Sequence, residues 1–282
     1  MGRLSVLVAG FLLAAGCSGI EGEGRTIVAS IYPLAFAAEG IAGPDWEVID
    51  LTPPGVEAHD LELTLEQRSA IQDADMVVYL GEIGFQPQVE RAVRESEGTV
   101  VDLSVALDQR REPLDPHAWL EPFSFSLLVK EIGEALCSLE DPCSQEEAAL
   151  RESLDGELFQ LHESYTQDLI GCRYRTMIVS HEAFGYLEIH RLRQFGLAGL
   201  TPEAEPSADR LAEAGHLIDG GEAGALFYEA RGEDPDADKG LAEDLGVPAL
   251  PLDTLESAPP EGDYLTVMSD NLDSLREGLQ CR

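Results

Sequence analysis

The apolar residues of this chain fall into two kinds of run. Short stretches rich in β-branched and aromatic residues lie at 26–31 (TIVASI), 47–51, 75–80 (DMVVYL), 99–102, 176–180 (TMIVS), 196–200, 225–229 (ALFYE) and 248–252. Each has the length of a buried strand, and segments long enough for helices separate them. That alternation predicts parallel α/β structure. Helix starts are marked locally: Thr64 with Gln67 forms a capping box, and Asp234-Pro235 opens a helix that should stop at Gly246. Ser269 or Asp270 is expected to cap a final helix that turns Leu272, Leu275 and Leu279 inward.

The middle of the chain has a different rhythm. Ser144 and Glu147 make a second capping box, after which Leu150, Leu154, Leu158, Leu161, Tyr165 and Leu169 recur every three or four residues. The stripe predicts a helix of about 26 residues, roughly 40 Å long at 1.5 Å per residue. A helix of that length between two similar α/β halves suits a stiff strut. The predicted organisation is an N-terminal α/β lobe at 26–142, a linker helix at 143–171 and a C-terminal α/β lobe at 172–282.

Residues 1–25 read as a targeting segment. A positively charged start, Met1-Gly2-Arg3, precedes an apolar run at 4–15 that is too short for an ordinary transmembrane helix. The run ends in Leu13-Ala14-Ala15-Gly16-Cys17, which resembles a bacterial lipobox. The resemblance implies a signal peptide at 1–16, cleavage before Cys17, acylation of Cys17 and a lipidated tether at 17–25. The expected location is therefore extracytoplasmic and membrane-anchored, at the periplasm or cell surface.

Charge and cysteine usage narrow the partners. Acidic residues outnumber basic ones 54 to 18, for a net charge of −36, so the surface should repel nucleic acid and anionic lipid. The excess reads as a solvated acidic surface, since selective cation capture needs a few fixed ligands. Besides Cys17, four cysteines remain, an even set suited to an oxidising compartment. Of their three possible pairings, Cys137 with Cys143 and Cys172 with Cys281 is the expected one. It would bridge two helix ends and tie the last helix to the start of the second half.

Six histidines are available for chemistry. His59 and His117 lie in loops, and His181 directly follows the strand-like run at 176–180, as Asp253 follows the run at 248–252. Ligands of open α/β sheets bind beyond the carboxyl ends of strands. Three imidazoles and one carboxylate make a suitable four-coordinate zinc set. His162, His190 and His216 fall in probable helices and read as exposed or capping residues.

The residues around these histidines make the chain resemble the zinc/manganese class of solute-binding proteins of ABC importers (cluster A-I type). The matching segments are Ser30-Ile31-Tyr32-Pro33-Leu34, the Pro-Gly-x-x-x-His-Asp-x-Glu run from Pro54 to Glu62, the run from Ala74 to Gly81, Asp115-Pro116-His117-Ala118-Trp119-Leu120 and Ser180-His181-Glu182-Ala183-Phe184-Gly185-Tyr186. Phe227-Tyr228-Glu229 and Leu252-Asp253 extend it.

The resemblance implies two Rossmann-like lobes with parallel sheets, joined by one long rigid helix, with a metal in the cleft. It implies a lipid-anchored receptor, with no enzymatic activity, that hands Zn2+ as transported ligand to an ABC permease and works as a monomer. The implied ligands are His59, His117, His181 and Asp253, with Glu229 and Trp119 as candidates to support them from behind. Members with glutamate at the His181 position mostly take manganese or iron, the alternative within the class. A zinc-dependent hydrolase is a further alternative, but Gly185 stands where a His-Glu-x-x-His motif needs its second histidine. The long acidic, histidine-rich loop of many zinc members is reduced here to residues 109–114, and Ala58 replaces the glutamate that some members carry before the first histidine.

Several acyl chains on one residue give stable membrane anchoring. Wild-type protein should therefore fractionate with membranes and Cys17→Ser should not; equal solubility of the two would overturn the lipobox reading.

Overall fold

The computed structural model describes residues 24–111, 113–139, 143–200, 206–232 and 235–282. Cys17 and the predicted signal peptide lie outside the described residues. Among those residues, no helix is long and apolar enough to cross a membrane.

The chain forms two four-stranded sheets, all of whose pairings are parallel. The first contains β1 (Arg25–Ala29), β2 (Trp46–Asp50), β3 (Met76–Tyr79) and β4 (Thr99–Asp102), in the order β2-β1-β3-β4. The second contains β5 (Thr176–Val179), β6 (Arg193–Gly196), β7 (Leu226–Glu229) and β8 (Ala249–Leu252), in the order β6-β5-β7-β8. The two halves thus repeat one topology. Helices α1 (Tyr32–Ala42), α2 (Leu65–Asp73), α3 (Pro87–Ala92) and α4 (Pro122–Leu139) belong to the first half. Helix α5 (Gln145–Asp168) runs between the sheets, and α6 (Ala208–Asp219), α7 (Pro235–Leu245) and α8 (Tyr264–Gly278) follow.

Side-chain alternation along the strands divides the core into three. Ile27, Ala29, Met76 and Val78 of the first sheet and Met177, Val179 and Phe227 of the second share one cluster with α1, α4, α5 and α8. Their neighbours on the opposite pleat, Val28, Val77 and Tyr79, bury under α2 and α3 with Ile71 and Val89. Ile178 and Leu226 do the same under α6 and α7 with Ala214 and Ala242. The inner faces of both sheets therefore drain into one continuous core.

Helix α5 crosses that core. The Ser144 capping box is formed, and Leu154, Leu158, Leu161 and Tyr165 are its buried stripe. It packs on α1 and α4, and the Tyr165 hydroxyl donates to the Met268 carbonyl of α8 at 2.7 Å. Disulfides join Cys137 to Cys143 and Cys172 to Cys281, as expected, so the chain is cross-linked just before α5 and just after it.

Two elements depart from expectation. β6 lies at Arg193–Gly196 rather than 196–200; it is an edge strand that pairs with β5 alone and carries one large apolar side chain, Phe195, so hydropathy does not mark it. Helix α8 begins at Tyr264, where the Asp263 carboxylate accepts from the Thr266 amide at 2.9 Å, one and a half turns before the expected cap. Tyr264 and Val267 belong to its buried face, so the stripe of Leu272, Leu275 and Leu279 continues a face that starts two turns earlier.

Candidate metal centre

The strand ends and loops of both halves bring four groups together. His59, His117, His181 and Glu256 each offer a ligand atom within 4.8 Å of all the others. The imidazole centroids are 5.7 Å (His59–His117), 6.2 Å (His59–His181) and 5.4 Å (His117–His181) apart.

Each histidine is held by local structure. His59 sits in a 3-10 turn, Ala58–Asp60. Gly55 begins the approach to that turn with φ +79°, a conformation glycine adopts without strain, and its amide donates to the Ser257 hydroxyl at 3.1 Å. Gln86 donates to the Ala58 and Ser30 carbonyls, and the Phe85 ring meets the His59 ring edge-on at 4.7 Å.

His117 is fully buried, and Asp115 accepts both its backbone amide at 3.0 Å and its Nδ1–H at 2.9 Å. Gly185 borders that carboxylate so closely that a Cβ there would lie 2.5 Å from Asp115 Oδ2. The Trp119 ring packs 5.2 Å from His117, while its Nε1–H donates to the Thr254 carbonyl at 2.7 Å. His181 leaves the end of β5, and its Nδ1 bonds the Glu229 carboxylate at the end of β7.

With Nδ1 of His117 and His181 each on a carboxylate, their Nε2 atoms face inward. The Nε2 atoms of His59, His117 and His181 and Oε1 of Glu256 have no hydrogen-bond partner in the protein and are buried. Glu256 Oε2 is held by the Ala58 amide at 3.0 Å, which aims Oε1 at Nε2 of His59 and His117, 3.5 and 3.6 Å away. A buried polar atom left unpaired costs about 1–3 kcal/mol. Four of them would take a large share of a domain's net stability of about 5–15 kcal/mol. A cation at their meeting point satisfies all four together, and a carboxylate behind the imidazole is the usual way to orient a ligating histidine.

The family model for the periplasmic component A of zinc-uptake complexes, ZnuA, matches residues 27–278. The chain belongs to the ZnuA family. A relative from Bacillus subtilis strain 168, the high-affinity zinc uptake system protein ZnuA, is 29% identical over 98% of this chain and 97% of its own. The zinc-binding protein AdcA of Streptococcus pyogenes serotype M1 is 28% identical over 98% of this chain; the match spans 60% of AdcA. Among solved structures, the Zn(II)-bound ZnuA-like domain of Streptococcus pneumoniae AdcA superposes with a TM-score of 0.78 at 26% identity, covering 90% of this chain and 98% of that one.

The four-group cluster of this ZnuA-family chain contains three of the residues expected from sequence and replaces the fourth. Asp253 does not join it. Arg231 grips both Asp253 oxygens, Nε to Oδ2 at 2.7 Å and Nη2 to Oδ1 at 2.6 Å, and the Leu255 amide adds 2.7 Å to Oδ1. A carboxylate neutralised by a bidentate guanidinium is a poor ligand for a second cation. Asp253 instead shapes the turn that presents Glu256, a turn tight enough to hold Leu255 at φ +56°. Arg231, two residues beyond the end of β7 and beside the end of β8, was the sequence signal that one of the two acids there would be ion-paired.

Sequence reasoning also passed over Asp115 and Glu57. Burial pushes the Glu57 carboxyl up to about 9, helped by the charges of Glu256 and Glu229, so it is protonated at neutral pH. His162 and His190 are not exposed caps either: both contact the buried Glu121. His216 is exposed on α6.

The centre holds a proton when it holds no metal. Burial works against charge on His117, but the hydrogen bond to Asp115 and the facing Glu256 carboxylate outweigh it and raise its pKa to about 9. Glu256 is fully buried, which favours its neutral form, yet His117 and His59 hold its carboxyl well below the usual range. Below pH 9 a metal must displace the His117 proton, so apparent affinity falls as pH falls. Calorimetry at pH 7.5 in buffers of different ionisation enthalpy should detect at least one proton released per zinc bound. No release would contradict this account of the centre.

Proposed function

We propose that this protein is an extracytoplasmic receptor that captures zinc between His59, His117, His181 and Glu256 and delivers it to the permease of an ABC importer. The observation that carries the reading is the convergence of four buried, partnerless donor atoms, three nitrogen and one oxygen. That donor set and number suit tetrahedral zinc. One carboxylate and three neutral imidazoles leave a formal charge of +1 on the loaded site, and nitrogen donors favour zinc over manganese by the Irving–Williams trend. A harder manganese site would want a second anionic oxygen. Glu256 is the one carboxylate in the four-group cluster. Four protein ligands also close the coordination sphere, which favours binding over hydrolysis, since catalytic zinc keeps a position open for water.

Supporting features extend beyond the site. The B. subtilis relative is named for high-affinity zinc uptake, and a Streptococcus pneumoniae relative is named a zinc-binding lipoprotein, in keeping with an acyl anchor on Cys17. In this reading residues 26–142 and 172–282 are two lobes and α5 is the strut that fixes their spacing. The receptor acts as a monomer, and acidification assists release by returning the His117 proton.

Metal-free protein titrated with zinc and manganese in competition should take zinc with strong preference, and His181→Glu should narrow that preference. Disturbing a residue that only positions a ligand costs roughly 10–100-fold in affinity. Asp253→Ala should fall within that range and Glu256→Ala beyond it. Equal or tighter manganese binding by the unmodified protein would contradict the zinc assignment. A larger loss from Asp253→Ala than from Glu256→Ala would contradict the ligand set.

A further inference from the structure

A second group of metal-ligating side chains lies outside the centre described above. Glu121, His162 and His190 offer three ligand atoms that all lie within 4.8 Å of one another. They come from three separate stretches of chain: the residue before α4, the last third of α5, and the end of the 3-10 turn Gly185–His190 that follows β5.

Glu121 is the anchor. Its side chain is 0% exposed. The first turn of α4 fixes it: Oε2 accepts from the Ser124 amide at 2.7 Å and the Ser124 hydroxyl at 2.9 Å, and Oε1 accepts from the Phe123 amide at 3.2 Å. Its ion-pair partners among the described residues are both imidazoles, His162 Nδ1 at 2.7 Å and His190 Nε2 at 3.3 Å from the same Oε1.

Both imidazoles converge on one oxygen of that carboxylate. His190 Nδ1 lies 3.3 Å from the Thr166 hydroxyl, one helical turn beyond His162 on α5. When Nδ1–H donates to that oxygen, the Nε2 lone pair faces the Glu121 carboxylate. A cation there would meet both that lone pair and the carboxylate oxygen, which lie 3.3 Å apart. The His162 side chain is 18% exposed and borders a surface groove with Phe123, Leu127 and Phe159, which gives an ion a way in and a water a place to bind.

We propose that Glu121, His162 and His190 form a second binding site for a divalent transition cation of the zinc type, with water completing the coordination. Two imidazoles, one carboxylate and water is the composition of an open zinc site. With three protein ligands and an exposed edge, it should hold its ion more weakly than the first centre. Its occupation would tie α5 to the start of α4 and to the turn after β5, clipping both halves to the same helix.

The test is zinc stoichiometry in the full-length protein, titrated against a chromophoric chelator at neutral pH. The unmodified protein should bind two zinc ions. His162→Ala/His190→Ala should bind one, with the tighter constant unchanged. His162→Gln, at a partly exposed helical position, guards against misfolding of the double variant and should likewise lose the weaker ion. His181→Ala should keep the weaker ion and weaken the tighter one, which separates this site from the function proposed for the first. One ion in the unmodified protein would overturn the proposal. So would a second ion that persists in both His162 variants, because it would then be held by the acidic surface.

Discussion

The carboxylate of Glu256 is the contact on which the rest of the site depends. One oxygen takes the amide of Ala58, in the loop after β2 of the first half; the other faces two imidazoles. The turn that carries Glu256 is fixed from three sides: Arg231 binds Asp253, Asn271 of α8 exchanges hydrogen bonds with the Asp253 backbone, and Trp119 caps the Thr254 carbonyl. Trp119 is itself held by the Tyr264 hydroxyl at 2.5 Å to its carbonyl. The polar centre is thus built into the aromatic core that joins the two sheets. A buried anion of this kind is tolerable only while its charge is met. Protonated His117 can meet it in the metal-free protein, and a cation in the loaded one.

That exchange of proton for metal links geometry to function. Asp115 and Glu229 fix Nδ1 of His117 and His181, which leaves Nε2 as the only nitrogen of each ring free to bind inward. The same carboxylate that orients His117 also raises its proton affinity, so a well-oriented ligand is also one that protons contest. A receptor must let go as well as hold, and a site that loses affinity as pH falls has a built-in route to release.

Much of this was legible in sequence, for identifiable reasons. Strands such as 76–79 and 176–179 are apolar on both pleats because helices cover both faces, and such runs stand out. The α5 stripe and its capping box mark the long helix, and the three clustered histidines, His59, His117 and His181, lie in motifs dense enough to be recognised. What failed to show depended on contacts between distant residues. β6 has one large apolar side chain, Phe195, and is held by one neighbour. Asp253 and Glu256 are both acids just beyond β8, and the bond from Arg231 sets Asp253 apart from Glu256, which joins the four-group cluster. His162 and His190 look like surface histidines until Glu121, 41 and 69 residues earlier, is brought beneath them.

The ligand set is the central claim, and crystallography of the zinc-loaded protein with data on both sides of the zinc absorption edge tests it most directly. The strongest anomalous peak should lie within about 2.0–2.2 Å of Nε2 of His59, His117 and His181 and of a Glu256 oxygen, the range for zinc–nitrogen and zinc–carboxylate bonds. Asp253 should remain paired with Arg231. A peak bonded to the Asp253 carboxylate, with Arg231 displaced and Glu256 turned away, would contradict the account.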